Sequence, residues 1–259
     1  MSNHNPLVIK IGGAILEKAD ALSALLVVIS SLKTDAKVVL VHGGGCVVDE
    51  MLAQAGFTTV KKQGLRVTPK AQIGLITGAL AGTVNKSIVA TASSMNLPAV
   101  GLSLADGDMI ACTKSEQDLG EVGVPTPKSS QLLDVLLHSH FLPVISSIGT
   151  LENGDLVNVN ADDAAVAVCQ LLNAELLLLT DVNGVKGGDG EYLTSLDSTK
   201  AKDLIEQGVI AGGMAAKVNA ALQAANQLRR SIAVASWQSP EQIPSLLSGQ
   251  GMGTQILPD

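Results

Sequence analysis

Short apolar runs rich in β-branched residues alternate along the chain with longer stretches whose apolar residues recur at helical spacing. The apolar runs predict buried strands at 7–11, 37–41, 98–104, 142–149, 175–182 and 231–236. The stretches between them predict helices at 20–33, 47–56, 70–95, 129–140, 160–172, near 198–208 and at 213–230. Continuously apolar strands that alternate with helices are typical of a mainly parallel sheet covered on both faces. The predicted fold class is therefore α/β, an open three-layer αβα sandwich.

Glycine-rich turns follow three of these strands, at 12–13, 43–45 and 147–149. In sheets of this kind ligands bind outside the carboxyl ends of the strands, so we expect a functional site at these turns. The stretch 105–128 is more polar and predicts a hairpin. We place a lobe boundary near 173–176, which divides the chain at residue 173.

The composition narrows the class of protein. Of the 259 residues, 46% are hydrophobic but only 2% are aromatic, so we expect an aliphatic core and no nucleic-acid binding by base stacking. The net charge of −7 argues against a polyanionic partner. Three widely spaced cysteines give no disulfide framework and no metal-binding Cys pair. The N-terminus lacks a signal-peptide pattern, and the apolar runs fall short of the roughly 18 residues of a membrane span. We expect a cytoplasmic protein.

The string HGGG at 42–45 has three interpretations: a hydrolase oxyanion hole, a backbone cradle for phosphate, or a tight turn. A hydrolase of that type also needs G-x-S-x-G followed by a late histidine. The closest string, GLSLA at 101–105, lacks the last glycine, and no histidine follows His140. His138 and His140 are interpreted as a solvated helix end. These observations exclude the hydrolase.

The two common nucleotide fingerprints are also absent. GTVNKS at 82–87 has Asn85 where a phosphate-binding loop needs its last glycine, and Val48 occupies the third glycine position of a dinucleotide-binding turn.

Two lysines occupy positions where a bound phosphate would offset the unfavourable environment of their positive charge. Lys10 interrupts an apolar strand just before two glycines, and an unpaired buried ammonium is costly. Lys217 lies in the first turns of a helix, where the helix dipole disfavours a cation. Each lysine by itself also fits a solvated side chain. Asp162 could orient both lysines if they lie together.

Polar residues follow other predicted strands. Asn160 and one following aspartate fit a helix N-cap, but that interpretation leaves Asn158 unexplained. Arg66 lies in a loop and could bind a carboxylate through two N–H donors of its planar guanidinium group. Asp181 ends a strand in a turn that could contact a nucleotide, although turn chemistry alone would explain it.

Six short strings, taken in their order along the chain, resemble those of the amino acid kinase family, and the resemblance covers nearly the whole chain. The strings are KIGG (10–13), HGGGCVVDE (42–50), GLRVTP (64–69), NVNAD (158–162), TDVNGV (180–185) and GGMAAKV (212–218). The second, third and fourth strings are similar to those of the members that phosphorylate the side-chain carboxylate of N-acetyl-L-glutamate. The resemblance therefore implies the amino acid kinase fold and this reaction, as a step of arginine biosynthesis.

The resemblance also implies a role for each candidate residue. Lys10 and Lys217 would stabilise charge on the transferring phosphoryl group, and Asp162 would hold both lysines. The residues implied for the amino-acid substrate are Gly44, Gly45, Arg66, Asn158 and Asn160. Those implied for ATP are Gly12, Gly13, Asp181, Val182, Asn183, Gly184, Val185, Lys186, Val209, Ile210, Ala211 and Gly213. Mg²⁺ would arrive with ATP, and no protein metal site is expected.

The resemblance assigns substrate binding and dimerisation to residues 1–173 and ATP binding to residues 174–259. Members inhibited by arginine carry an extra N-terminal helix that links dimers into hexamers; with a first strand beginning near Leu7, the resemblance implies a homodimer without arginine feedback. One departure is Asp163, where such relatives often carry Gln. Two alternatives stay open: a sister kinase acting on another carboxylate or on carbamate, and a non-catalytic binding protein of the same fold.

Overall fold

An eight-stranded sheet with helices on both faces forms the core of the computed structural model, which describes residues 5–32, 36–247, 250 and 253–259. The strands are β1 Leu7–Ile11, β2 Val38–His42, β3 Lys61–Lys62, β4 Leu65–Arg66, β5 Ala99–Ser103, β6 Ile110–Lys114, β7 Gly123–Pro127, β8 Leu142–Ser146, β9 Ile148–Thr150, β10 Leu156–Asn158, β11 Glu175–Thr180, β12 Ser195–Leu196, β13 Ile232–Ser236 and β14 Thr254–Ile256. The α-helices are α1 Gly13–Leu16, α2 Ala19–Leu32, α3 Gly45–Gln54, α4 Ile73–Thr77, α5 Asn85–Ser94, α6 Gln131–His138, α7 Ala161–Leu172, α8 Ser198–Glu206, α9 Gly212–Leu228 and α10 Ile243–Leu247.

The strand order of the main sheet is β12-β14-β13-β11-β1-β2-β8-β5. All pairs from β13 to β5 are parallel, and β14 runs antiparallel to β13. The predicted α/β class and mainly parallel sheet are therefore confirmed. The strand β11, which follows the predicted lobe boundary, pairs with β1, so the two predicted lobes share one sheet. The boundary itself stays a prediction.

The burial of both faces of β1 explains why all of its residues except Lys10 are apolar. Leu7, Ile9 and Ile11 pack with α2 and α5 on one face, whereas Val8 packs with α7 on the other. Because side chains alternate along a strand, Lys10 shares the α7 face with Val8. This alternation brings the only charged residue of β1 to the start of α7.

Three small hairpins lie outside the main sheet: β3 with β4, β6 with β7, and β9 with β10. The β6–β7 hairpin lies in the stretch 105–128, as predicted. The predicted strand 142–149 is wrong in its last residues, because β8 ends at Ser146 and the chain then turns into β9. The other two hairpins have strands of two or three residues, too short for a periodic signal.

The predicted helix 70–95 corresponds to a continuous helical stretch, Ile73–Ser94, whose middle part Gly78–Val84 is π-helical. By length and composition this stretch is apolar enough to cross a membrane, with a mean hydropathy of 1.3, although core helices of soluble proteins meet the same criterion. The lengths of uninterrupted apolar runs did not predict this stretch, because Asn85 and Lys86 interrupt the apolar run, whereas the mean hydropathy averages over them. Asn85 is fully buried and hydrogen-bonds to β8, which ties the helix to the sheet.

The last residue of the predicted helix 20–33 lies outside the described residues. The remaining predicted helices and strands match observed ones with end shifts of a few residues. We did not predict α1, α10, β12 or β14, which are all five residues long or shorter.

Candidate functional site

The carboxyl ends of β1, β2, β8 and β11 meet at one edge of the sheet because these strands are parallel neighbours. The turns that leave β1 and β2 are in contact: a Cβ added at Gly13 would lie 3.4 Å from Cys46 Sγ. The glycine-rich turns expected to form a site therefore do lie side by side.

Lys10 and Asp162 form an ion pair beneath these turns. Lys10 Nζ lies 2.8 Å from Asp162 Oδ1, and the two side chains are 17% and 30% exposed. Asp162 is placed there by Asn160, the N-cap of α7, whose Oδ1 accepts hydrogen bonds from Asp162 N (2.7 Å) and Asp163 N (3.3 Å). The N-cap interpretation of Asn160 is thus confirmed.

Lys217 has a different partner from the expected one. Its Nζ donates to Asp181 Oδ1 at the end of β11, while Asp162 pairs with Lys10. The expectation that Asp162 holds both lysines is therefore wrong for Lys217. The hydrogen bond from Lys217 lowers the pKa of Asp181, so that carboxylate is ionised at neutral pH. Each lysine is neutralised by its own aspartate.

A cavity of about 230 Å³ opens between these two ion pairs. Its wall combines the charged side chains with an apolar surface from β11, β13 and α1. The predicted residues that line it are Lys10, Gly12, Gly13, Asp162, Asp181 and Lys217.

A larger cavity of about 640 Å³ lies beyond the triple glycine. The predicted residues that line it are Gly44, Gly45, Arg66, Asn158 and Asn160. Asp163 also faces it, while its neighbour Asp162 faces the smaller cavity. The first turn of α7 therefore borders both cavities.

Arg66 is held firmly at the wall of the larger cavity. Its side chain is 10% exposed, and its Nη1 lies 2.6 Å from Asp49 Oδ1. It also donates from Nη1 to Thr59 Oγ1 and from Nη2 to the carbonyl of Gly45. Asn158 is oriented in a similar way, since its Nδ2 donates to the buried Thr68 Oγ1.

His42 lies behind the triple glycine and is fully buried. Burial lowers its pKa to about 4, against an opposing hydrogen bond to the carbonyl of Gly43. Its Nδ1 donates to that carbonyl, so Nε2 is left to accept from Asn85 Nδ2 at 3.0 Å. His42 is neutral at physiological pH and holds the turn in place through its hydrogen bond to the Gly43 carbonyl.

Gly44 is glycine for a reason that the sequence did not reveal. An added Cβ would lie 2.8 Å from Val84 Cγ2 and 3.0 Å from Leu80 Cδ2. The π-helical segment therefore packs directly against the turn, and only a residue without Cβ fits between them.

The remaining residues implied for ATP lie around the turn after β11 and the start of α9. Val185 and Ile210 are 1% and 2% exposed and belong to the core, so only their backbone atoms can reach a ligand. Lys186 lies over the ring of Tyr192, and Val209 is exposed. The residues implied for ATP that line neither of the two cavities are Val182, Asn183, Gly184, Val185, Lys186, Val209, Ile210, Ala211 and Gly213. Their contact with a nucleotide stays a prediction.

Three residues near the site were missed by sequence reasoning. Trp237 lines the smaller cavity, and Lys18 Nζ lies 4.9 Å from the centre of its ring. Because Trp237 directly follows β13, the rule that placed Asp181 could have found it. Asp49 and Asn85 contact Arg66 and His42 through the tertiary structure, and no local pattern marks them.

Comparison with known proteins identifies a family. The family model described as the amino acid kinase family matches residues 5–236. An acetylglutamate kinase from Colwellia psychrerythraea is 78% identical over 254 residues, which cover 98% of this chain and 97% of that protein. An acetylglutamate kinase from Aliivibrio fischeri is 50% identical over 99% of both chains.

Among solved structures, N-acetylglutamate synthase from Neisseria gonorrhoeae, complexed with coenzyme A and N-acetyl-glutamate, superimposes with a TM-score of 0.80. The sequence identity is 25%, and the match covers 98% of this chain and 60% of that one. The fold is thus shared with a protein whose name refers to acetylglutamate, and the sequence is similar over nearly its whole length to two acetylglutamate kinases.

Proposed function

The chain belongs to the amino acid kinase family, and we propose that it has acetylglutamate kinase activity. It transfers the γ-phosphoryl group of ATP to the side-chain carboxylate of N-acetyl-L-glutamate, giving N-acetyl-L-glutamyl 5-phosphate and ADP in arginine biosynthesis. The observation that carries this proposal is the 78% identity to an acetylglutamate kinase over 98% of the chain.

The chemistry requires no general base. The attacking group is a carboxylate with an ordinary pKa of about 4.3, already ionised at neutral pH. Catalysis then rests on in-line positioning and on neutralisation of the charge that spreads over the phosphoryl oxygens. A buried neutral His42 and a site built from lysines and backbone N–H groups suit such a reaction.

The smaller cavity is the proposed site of the ATP phosphates. Lys10 and Lys217 project into it, and an arriving phosphate competes with their aspartate partners. Lys217 is 43% exposed within its ion pair, which leaves it able to turn toward a phosphate. We propose that both lysines neutralise the transferring group and that Asp162 fixes Lys10.

The larger cavity is the proposed site of N-acetyl-L-glutamate. Arg66 would grip the α-carboxylate, and Gly44 and Gly45 would present backbone N–H groups to the reacting carboxylate. Asn158 Nδ2 donates one hydrogen bond to Thr68 Oγ1, which orients the amide and leaves its second N–H and its Oδ1 for the substrate. The first turn of α7 borders both cavities, which supports this division, since it would place the reacting carboxylate on the side of the phosphate site.

The nucleotide would extend from the phosphate site over the turn after β11 and the start of α9, where Asp181 and residues 209–213 lie. No group of three His, Cys, Asp or Glu side chains in the described part of the chain could hold a metal ion. We propose that Mg²⁺ enters bound to ATP, where it offsets phosphate charge.

We also propose a cytoplasmic homodimer. The edge strand β5 is half-buried along its whole length and lies beside the apolar helical stretch Ile73–Ser94. A strand at the edge of a sheet, next to an apolar helix, offers a surface that a second copy can cover.

The proposed activity is tested by measuring ADP release with acetylglutamate, carbamate, aspartate, glutamate and UMP in parallel. We expect release with acetylglutamate alone, and a product that hydroxylamine traps as a hydroxamate, as it does any acyl phosphate. Turnover of carbamate, aspartate, glutamate or UMP instead would show a sister kinase. Absence of turnover with all five, from protein that binds ATP, would show a binding protein.

A further inference from the structure

Asp49 lies one turn into α3 and directly behind the cavity wall. It is not among the residues that line the larger cavity, whereas its partner Arg66 is. Asp49 Oδ1 receives two hydrogen bonds, from Arg66 Nη1 at 2.6 Å and from Thr59 Oγ1 at 2.8 Å. Asp49 therefore acts on a ligand in this cavity through its charge and through the side chains that it holds.

The hydrogen bonds of Arg66 define which part of its guanidinium group faces the cavity. Of its five N–H donors, Nη1 supplies Asp49 and Thr59, and Nη2 supplies the carbonyl of Gly45. Among the residues that the structure describes, Nε–H and one hydrogen of Nη2 have no acceptor. Two donors of one planar group suit a carboxylate, which accepts such bonds in pairs.

Thr59 depends on the same carboxylate. Its hydroxyl donates to Asp49 Oδ1 and therefore turns a lone pair toward Arg66 Nη1, which it accepts at 3.1 Å. Without the carboxylate, this hydroxyl is free to rotate and can no longer fix the guanidinium group.

The charges around Asp49 leave the wall positive. Asp49 Oδ2 also lies 3.6 Å from Nζ of Lys61, a residue that lines the cavity. Two cations and one carboxylate carry a net charge of +1 at this wall. Burial raises the pKa of Asp49, but the hydrogen bonds from Arg66 and Thr59 and the charges of Arg66 and Lys61 outweigh it and lower that pKa overall. Asp49 is thus ionised when the enzyme works.

We propose that Asp49 is a positioning residue for substrate recognition: it holds the Arg66 guanidinium group so that its two unengaged donors meet the α-carboxylate of N-acetyl-L-glutamate. This inference rests on the proposed function. Since Arg66 also contacts the carbonyl of Gly45, the same network ties the grip on the α-carboxylate to the glycine turn that would hold the reacting carboxylate.

A double-mutant cycle tests the inference, with Asp49→Ala, Arg66→Ala and the double variant assayed for KM of both substrates and for kcat. We expect Asp49→Ala to raise the KM for acetylglutamate about tenfold, because it removes a charge-assisted hydrogen bond that fixes Arg66. In the Arg66→Ala background the same change should add less than about twofold, since its target is gone. The KM for ATP should stay unchanged.

Two further variants sharpen the test. Asp49→Asn keeps an acceptor oxygen but loses the charge, so its KM for acetylglutamate should lie between those of wild type and Asp49→Ala. Glu50→Ala is the matched control on the same helix, because Glu50 accepts a hydrogen bond from the exposed Gln54 and, among the described residues, lines neither cavity. Its kinetic constants should equal those of the wild type.

An additive cycle would show a merely structural role and overturn the inference. So would an equal rise in the KM for acetylglutamate and the KM for ATP in Asp49→Ala and in Asp49→Asn. If the wild type turns over acetylglutamate but the cycle is additive, the inference about Asp49 is overturned and the proposed function stands. A wild type without that turnover would overturn the proposed function, and the inference with it.

Discussion

At the scale of single residues, the two lysines of the candidate site are neutralised by different carboxylates. Asp162 pairs with Lys10 from the start of α7, and Asp181 pairs with Lys217 from the end of β11. Both pairs keep a positive group at a cavity wall together with a carboxylate partner. Such an arrangement holds the charges ready for an anion and avoids the cost of an isolated buried ammonium.

Lys217→Ala should lower kcat by about 10²-fold or more, because the lysine is proposed to neutralise charge that develops in the transition state. Steady-state kinetics with both substrates will measure it. Lys202→Ala, on the exposed face of α8, is the control and should change nothing. A raised KM with an unchanged kcat would contradict the proposed role of Lys217.

His42 gives a pH dependence whose sign follows from its burial. Its pKa is about 4 in the folded protein and about 6.5 when unfolded, so the unfolded chain binds more protons between these values. Stability should therefore fall as the pH drops from about 6.5 to 4, by on the order of 3 kcal/mol from this group. Protonated Nε2 would also face the Asn85 amide donor instead of accepting from it.

NMR titration of the four histidines measures this directly. We expect one imidazole, assigned to His42 by its absence from a His42→Asn variant, to stay neutral down to about pH 4. Urea unfolding at pH 7 and pH 5 gives the matching loss of stability. A His42 resonance that titrates near its ordinary pKa would refute the assignment of a neutral structural role.

At the scale of elements, the π-helical segment and α5 connect the helix layer to the site. Val84 and Leu80 pack against Gly44, and the next residue, Asn85, donates to His42 and to carbonyls of β5 and β8. π-helical turns within α-helices are frequent at functional sites. Here the turn lets successive residues contact the glycine turn and the sheet.

Gly101→Ala tests this packing, since a Cβ there would lie 2.0 Å from Asn85 Oδ1 and 2.6 Å from Lys86 Nζ. We expect it to destabilise the protein by about 1–3 kcal/mol, because Asn85 must shift out of its buried network. Thermal and urea unfolding measure the change.

Gly78→Ala is the control, since Gly78 has helical backbone angles and no atom within 4 Å of an added Cβ. It should be neutral or slightly stabilising. Equal stabilities for the two variants would mean that Asn85 is not confined between α5 and β5.

At the scale of the whole molecule, one sheet joins the two proposed substrate sites. Because β11 pairs with β1 and β1 with β2, the sheet edge proposed to bind phosphate and the triple glycine are fixed relative to each other. Asp163, in the first turn of α7, lines the larger cavity, and burial followed by the charge of Asp162 raises its pKa.

The proposed homodimer is a prediction at this scale. Light scattering coupled to size exclusion should give twice the chain mass of 26.5 kDa. The reason is the edge strand β5 and the adjoining apolar helical stretch, which a second copy would cover. A monomer mass at micromolar concentration would contradict this.

The sequence by itself determined the local structure and the chemistry of the ends of strands. Hydrophobic periodicity depends only on neighbours, so the main strands and longer helices could be placed within a few residues. Lys10, Asp162, Asp181 and Arg66 could be identified because strand ends and ordered strings mark them. The cavities they line also follow from the rule that parallel strands end at one edge.

Only the tertiary structure decided which of these residues meet. The partner of Lys217, the network of Asp49 with Arg66, and the contact of Asn85 with His42 all join segments distant in sequence. The short hairpins β3–β4 and β9–β10 were missed because two or three residues carry no periodic signal. Pairings of this kind depend on the distances and angles between packed elements, which no local pattern of residues specifies.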